Sequence, residues 1–168
     1  MAPAKSRWQI LFLISVLTLF SAASAMFVSA LAMMGDEKKS IDPWTAAQIV
    51  RPTELAQELG DKNGAPLTIV YVGFRTLFAG GHIPGATFHG TASTEQGLAD
   101  LKKWADGLSR TSNLVIYCGC CPFEKCPNIR PAFAALSNMG FKNLRVLALP
   151  TSFAADWVEK SHPVEKGI

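Results

Sequence analysis

All four cysteines of this 168-residue chain lie within nine consecutive positions. The cluster follows a short apolar run, residues 114–117, and precedes a run with helical character, residues 131–139. A buried strand, a cysteine-rich loop and a helix, in that order, are typical of an α/β domain. Backbone N–H groups at the start of a helix favour negative charge, so this loop is suited to hold a thiolate or to bind an anion. The cysteines are Cys118, Cys120, Cys121 and Cys126.

The N-terminus is typical of a targeting segment. Lys5 and Arg7 precede residues 8–34, which carry no charge and include small residues of the kind that signal peptidases cleave. The uncharged stretch is also long enough to cross a bilayer, since about 20 apolar residues suffice. We expect residues 1–34 to be either a cleaved signal peptide or an inner-membrane anchor formed by residues 8–34. A linker, residues 35–44, and one domain, residues 45–168, would then follow in the periplasm.

The charge of the chain gives no support to nucleic-acid binding. The sequence has 16 basic and 13 acidic residues, and removal of residues 1–32 leaves 14 basic ones against the same 13. An almost neutral domain lacks the basic surface that nucleic acids require. About 130 residues are enough for a hydrophobic core without disulfide bonds. We expect a monomer.

Strand and helix patterns alternate through the domain. Apolar runs predict buried strands over residues 67–72, 114–117 and 144–149, and helical spacing predicts helices over 53–59, from Ser93 onward, over 131–139 and over 153–159. Asn128 is the expected N-cap of the third helix, and the glycine-rich segment 74–90 is expected to be loop and turn. This alternation predicts an α/β fold with a mainly parallel sheet. Cys118 then lies at the carboxyl end of its strand, where such sheets bind ligands.

The clustered cysteines favour reactive chemistry over a structural disulfide, because a disulfide within so short a loop restrains little chain entropy. Four thiolates suit a tetrahedral metal site, but the C-x-C-C-x4-C spacing matches no common zinc or iron–sulfur pattern. We therefore expect no metal and no cofactor.

The sequence resembles the rhodanese-like domains. Residues 81–86 read Gly-His-Ile-Pro-Gly-Ala, the signature of that family, and Tyr117-Cys118 stands where the family places its catalytic cysteine. Arg130 matches the arginine that follows the family's active loop, and Trp157 matches a tryptophan near its C-terminus. The resemblance covers residues 45–167. It implies a single domain around a five-stranded parallel sheet, flanked by helices, with sulfurtransferase activity of the thiosulfate or persulfide type.

The resemblance also implies roles for the loop residues. Cys118 is expected to carry sulfane sulfur as a persulfide, and backbone N–H groups are expected to lower its pKa. Arg130 is expected to bind a small anionic sulfur donor. The expected substrate-binding loop consists of Gly119, Cys120, Cys121 and Lys125.

Two departures from the family leave alternatives open. Tyr71-Val72-Gly73 replaces the usual charged triplet, and eleven residues separate Cys118 from Arg130, where the family has four or five. Cys126 lies closer to the helix and to Arg130, so it is either a second candidate nucleophile or a resolving thiol. The expected partner is a small anionic sulfur donor or a partner-protein thiol. The competing functions are a thiol–disulfide or redox-responsive protein and a metal-handling binding module on the same scaffold.

Overall fold

The computed structural model describes residues 42–167. Five strands and four α-helices alternate along them, with 3₁₀ turns at Ala46–Gln48 and Phe123–Lys125 and one π-helical turn at Ala154–Val158. The strands are β1 (Ile49–Val50), β2 (Leu67–Tyr71), β3 (Thr87–Phe88), β4 (Asn113–Tyr117) and β5 (Asn143–Leu147). The helices are α1 (Pro52–Gly60), α2 (Arg75–Gly80), α3 (Glu95–Ala105) and α4 (Ile129–Asn138).

The five strands form one parallel sheet in the order β1-β5-β4-β2-β3. The predicted α/β fold with a five-stranded parallel sheet is therefore confirmed. Strand β4 lies at the centre, with Tyr117 paired to Tyr71 on β2 and Ile116 paired to Val146 on β5. Because all strands run the same way, the residues that follow β2 and β4 meet at one edge of the sheet.

Each face of the sheet has its own apolar layer. Alternate residues of β4 point to opposite faces, so Leu114 and Ile116 pack with α3 and α4, while Val115 and Tyr117 pack with Phe78 and Trp157. Residues on both faces are fully buried, as expected for a parallel sheet covered on both sides. Cys118 and Cys126 belong to the layer on the α3 and α4 face.

Three sequence predictions need correction. The segment 74–90 is not all loop: it contains α2 and β3, because Phe78 buries its ring 5.6 Å from that of Tyr71 and so holds a short helix against the sheet. Helix α3 begins at Glu95 and not at Ser93, because Thr94 caps it through a hydroxyl that accepts the Gly97 N–H at 3.1 Å. The C-terminal helix is a π-helical turn.

The folded part of the chain includes residues assigned above to the linker. Trp44 is buried and its ring lies 5.3 Å from Phe123 and 5.4 Å from Phe133. The predicted signal peptide or anchor lies outside the described residues. Within residues 42–167, no helix is both long and apolar enough to cross a membrane.

Candidate active site

The cysteine loop leaves the carboxyl end of the central strand. Cys118 directly follows β4, and the loop ends where α4 begins at Ile129. Gly119 has a φ of 75°, and a Cβ at this position would lie only 2.6 Å from the Cβ of Phe153. The Gly119 carbonyl accepts the Phe153 N–H at 3.0 Å. A glycine is required here because the loop turns sharply against the C-terminal segment.

The structure brings the cysteines together as free thiols. The Sγ atoms of Cys118, Cys120 and Cys126 all lie within 4.8 Å of one another. Cys118 and Cys120 are 3.1 Å apart, and Cys121 lies 3.3 Å from Cys120. Cys118 and Cys126 are almost fully buried, at 1% and 3% exposure, whereas Cys120 and Cys121 are half-buried. The loop therefore places half-buried and buried sulfurs within a few ångströms of one another.

Asn128 fixes the orientation of this cluster. Its side chain is fully buried and does not cap α4, contrary to the sequence prediction. Its Oδ1 accepts the Ser93 N–H at 2.9 Å, and its Nδ2 donates to Cys118 Sγ at 3.4 Å and to Cys120 Sγ at 3.9 Å. Because the carbonyl end is held by backbone, the amide NH₂ must face the sulfurs. A buried donor aimed at two sulfurs stabilises negative charge on them.

The two buried thiols have opposite electrostatics. The pKa of Cys126 is lowered to about 6, first by a hydrogen bond from the Cys118 thiol and then by the backbone N–H groups of Asn128 and Ile129. The pKa of Cys118 is raised, first by its interaction with the Cys126 thiol and then by burial. In the structure the Cys118 thiol donates to Cys120 Sγ at 3.1 Å. The expectation that the helix end lowers the pKa of Cys118 is therefore wrong. The helix N-terminus acts on Cys126.

A cavity of about 440 Å³ opens beside the loop. Cys118, Gly119 and Cys120 form part of its wall, and Lys166 is the only charged residue among the described residues that line it. Most of the remaining lining is apolar. It includes Tyr71, Leu77, Phe153, Val158 and Val164.

Tyr71 is a site residue that the sequence analysis did not assign. Its hydroxyl is buried and has no hydrogen-bond partner among the described residues. A Cβ at Gly73 would lie 2.5 Å from the Tyr71 hydroxyl oxygen and 2.7 Å from Cys118 Sγ, so both atoms converge on the space that Gly73 leaves open. Burial and the nearby sulfurs raise the pKa of Tyr71, and the Phe74 backbone N–H opposes this rise only in part, so the hydroxyl stays protonated. Its position at the carboxyl end of β2, next to β4, is the signal that identifies it.

The predicted basic residues do not line the cavity. The Arg130 guanidinium contacts Asp42 Oδ1 at 2.7 and 2.9 Å, and it lies 5.5 Å from the centre of the Trp44 ring. Lys125 is exposed within the Phe123–Lys125 turn. Arg130 thus joins α4 to the segment before β1, a structural contact that sequence reasoning did not foresee.

His82 is part of the fold around the cavity. It is buried, its Nδ1 lies 2.8 Å from the Phe78 carbonyl oxygen, and its ring stacks on Phe78 at 3.9 Å. The next residue, Ile83, donates its N–H to the Tyr117 hydroxyl at 3.0 Å. The segment 81–86 therefore orders the loop between α2 and β3.

No known family model and no curated protein matches the sequence. Several solved structures, however, are similar to the chain. A rhodanese-like domain from Anabaena sp. is 24% identical over 72% of this chain and 80% of its own, with a TM-score of 0.52. A Bacillus halodurans protein is 16% identical over 87% of this chain and 85% of its own, with a TM-score of 0.54.

A third structural match is a thiosulfate sulfurtransferase from Pseudomonas aeruginosa. It is 22% identical over 71% of this chain, with a TM-score of 0.50, and the match spans only 19% of its own length. Together these likenesses define the class of fold. The chain has the rhodanese-like fold.

Proposed function

We propose that this protein is a sulfurtransferase that carries sulfane sulfur as a persulfide on Cys118. One observation supports this most strongly: Cys118 follows the central strand, lines the cavity and lies within 4.8 Å of two further thiols. Ligands of parallel α/β sheets bind at this end of the strands. The rhodanese-like fold agrees with this chemistry, and one structural neighbour is a thiosulfate sulfurtransferase.

In the loading step Cys126 serves as the base for Cys118, whose sulfur lines the cavity and lies within 4.8 Å of the Cys126 sulfur. The Cys126 thiolate accepts the Cys118 proton, and the Cys118 sulfur attacks the sulfane sulfur of the donor. A new Sγ–S bond forms, the sulfur–sulfur bond of the donor breaks, and the leaving group departs with the electron pair of that bond. The products are a Cys118 persulfide anion, a protonated Cys126 and the desulfurated donor.

The second step releases the sulfur. A nucleophilic acceptor, either a small molecule or a partner-protein thiol, attacks the outer sulfur of the persulfide and leaves Cys118 as a thiolate. The Asn128 amide, which already donates to Cys118 Sγ at 3.4 Å, stabilises the anion in both steps. The Tyr71 hydroxyl is the second donor at hand, because it is buried beside Cys118 without a partner among the described residues. We further propose that the domain works as a monomer outside the cytoplasm.

Intact-mass measurement of the purified chain tests this function. After incubation with a sulfane donor and removal of the excess, the wild type should gain one sulfur atom that mild reductant removes. Cys118→Ser should gain none, and Cys121→Ser, which changes a neighbouring half-buried thiol, should gain one. Loss of hydrogens in pairs without added sulfur would instead support the thiol–disulfide function.

A second function is favoured by the three-thiol cluster itself. Cys118, Cys120 and Cys126 place three sulfurs within 4.8 Å of one another. Thiolates select soft metals such as Cu(I), whereas structural zinc sites take four ligands. The three-thiol group omits Cys121, so it suits a three-coordinate Cu(I) better than tetrahedral Zn²⁺.

Competition with a coloured Cu(I) chelator tests metal handling separately from sulfur transfer. The wild type should withdraw one Cu(I) per chain, with release of thiol protons. Cys126→Ser should weaken binding by at least about tenfold, a loss of about 1.4 kcal/mol, while Cys121→Ser should bind as the wild type does. Equal losses in both variants, or no competition by the wild type, would exclude this function.

A further inference from the structure

Exposed apolar side chains line the cavity. Four large hydrophobic residues are exposed among the described residues: Ile49, Phe74, Leu77 and Val158. Two of these line the cavity, with 49% of Leu77 and 44% of Val158 accessible to solvent. Phe153 and Val164, both half-buried, line the same cavity, and Phe153 lies against Gly119 next to Cys118. Contiguous apolar surface of this kind marks a binding site.

The charges around the cavity do not suit a small inorganic dianion. Lys166 is the only charged lining residue in the part of the chain that the structure describes. Arg130, the expected anion-binding residue, is held by Asp42 at 2.7 Å and lies over Trp44 instead. A dianion such as thiosulfate would lose its hydration against apolar walls and gain one cation in return. The volume of about 440 Å³ also falls within the range of about 300–1,000 Å³ that organic ligands occupy.

From these features we infer that the donor is an organic sulfane compound, in which an apolar group is attached to the sulfur that leaves. This inference rests on the proposed function and names its substrate class. The apolar group lies between Leu77, Val158 and Phe153, with the sulfane sulfur directed at Cys118. Lys166 balances the single negative charge of a thiosulfonate.

The transfer step balances without any further reactant. For a thiosulfonate, the Cys118 sulfur attacks the terminal sulfur, the bond between the sulfonyl sulfur and the terminal sulfur breaks, and a sulfinate leaves with the electron pair. The Cys118 proton passes to Cys126 as in the proposed function. One negative charge enters on the donor and one leaves on the sulfinate, while the charge of Cys126 is transferred to the persulfide.

The test compares benzenethiosulfonate with thiosulfate as donors to the purified full chain, with cyanide as acceptor and thiocyanate as product. The ratio of kcat/KM for the two donors is the quantity measured. It should favour benzenethiosulfonate at least about tenfold in the wild type. Leu77→Ser should lower this ratio about fivefold, because burial of a leucine side chain beside the aromatic ring is lost. Ile49→Ser alters a matched exposed hydrophobic residue outside the cavity and should leave the ratio unchanged.

The outcomes separate this inference from the function on which it rests. If the two donors have equal kcat/KM, or if Leu77→Ser leaves the ratio unchanged, the preference for an organic donor is excluded. The proposed sulfur-transfer function then still stands. If neither donor loads the wild-type chain, both the function and the inference fail.

Discussion

The two ends of the cysteine loop hold thiols that are equally hidden and yet opposite in acidity. Cys118, at the end of β4, is 1% exposed and its pKa is raised. Cys126, before α4, is 3% exposed and its pKa is lowered to about 6. Burial disfavours a thiolate at both positions, so burial cannot be the cause of the difference.

Neighbouring hydrogen-bonding groups explain the difference in pKa between the two thiols. The pKa of Cys126 is lowered by the neighbouring Cys118 thiol and by the backbone N–H groups of Asn128 and Ile129, whereas the pKa of Cys118 is raised by its interaction with Cys126. The Cys118 thiol itself donates to Cys120 Sγ at 3.1 Å. Cys118 lines the cavity, and Cys126 is the thiol with the lowered pKa. In the function proposed above, Cys118 carries the sulfur and Cys126 acts as its base.

The largest effect is expected from loss of the carrier. Cys118→Ser should lower sulfur transfer by about 10³-fold or more, since a serine hydroxyl neither ionises nor forms a persulfide under these conditions. Steady-state thiocyanate formation measures this loss. Cys121→Ser should remain within about threefold of the wild type, and an equal loss in that variant would show that the whole loop had been disturbed.

Loss of the activating thiolate should cost less. Cys126→Ser removes the base but not the carrier, and general-base catalysis contributes typically about 10²–10⁴-fold. We expect kcat/KM to fall about 10²-fold while the persulfide still forms on Cys118. Full loss of transfer in Cys126→Ser, together with activity in Cys118→Ser, would reverse the assigned roles.

The pH profile should report Cys126. Its thiolate is present above a pKa of about 6 and becomes protonated below it. The kcat/KM of the wild type should therefore be level above this pH and fall about tenfold per unit below it. This fall in kcat/KM at low pH should be absent in Cys126→Ser. If the variant shows the same fall, the titrating group is not Cys126.

Tyr71→Phe should separate activity from stability. The hydroxyl has no partner among the described residues, so its removal should leave the thermal midpoint unchanged or raise it. Transfer should fall about three- to tenfold, the worth of one hydrogen bond to the anionic outer sulfur. A parallel loss of stability and activity would make Tyr71 a packing residue only.

The smallest effect on activity is expected at Arg130. Arg130→Ala should change sulfur transfer by less than about twofold, because Arg130 contacts Asp42 and not the cavity. It should lower the free energy of unfolding by about 0.5–1 kcal/mol, the usual worth of a partly exposed ion pair. Asp42→Ala should produce a similar loss in urea unfolding. A large kinetic effect of Arg130→Ala alone would restore the anion-binding role that the sequence suggested.

The sequence predicted the elements whose pattern is repeated along several residues. The apolar run 114–117 identified β4, and the position of Cys118 after it identified the loop. It did not predict the short elements α2 and β3, because their formation depends on Phe78 packing against Tyr71 across the sheet. Such long-range burial leaves no local pattern.

The candidate site was foreseen only in outline. The cluster of thiols was evident from their spacing, but their opposite pKa directions depend on where individual N–H groups point. Asn128 was predicted to cap α4 and instead faces the sulfurs, because Ser93 of another element holds its carbonyl oxygen. Tyr71 becomes a site residue only once β2 and β4 are known to be neighbours.

Peptide mapping of the persulfide tests the division of roles between Cys118 and Cys126 most directly. The full chain is loaded with a sulfane donor at pH 7, the outer sulfur is trapped with an alkylating reagent, and the digested peptides are sequenced by mass spectrometry. The added sulfur should lie on Cys118 in the wild type and in Cys126→Ser. Sulfur found mainly on Cys126 in the wild type would contradict it.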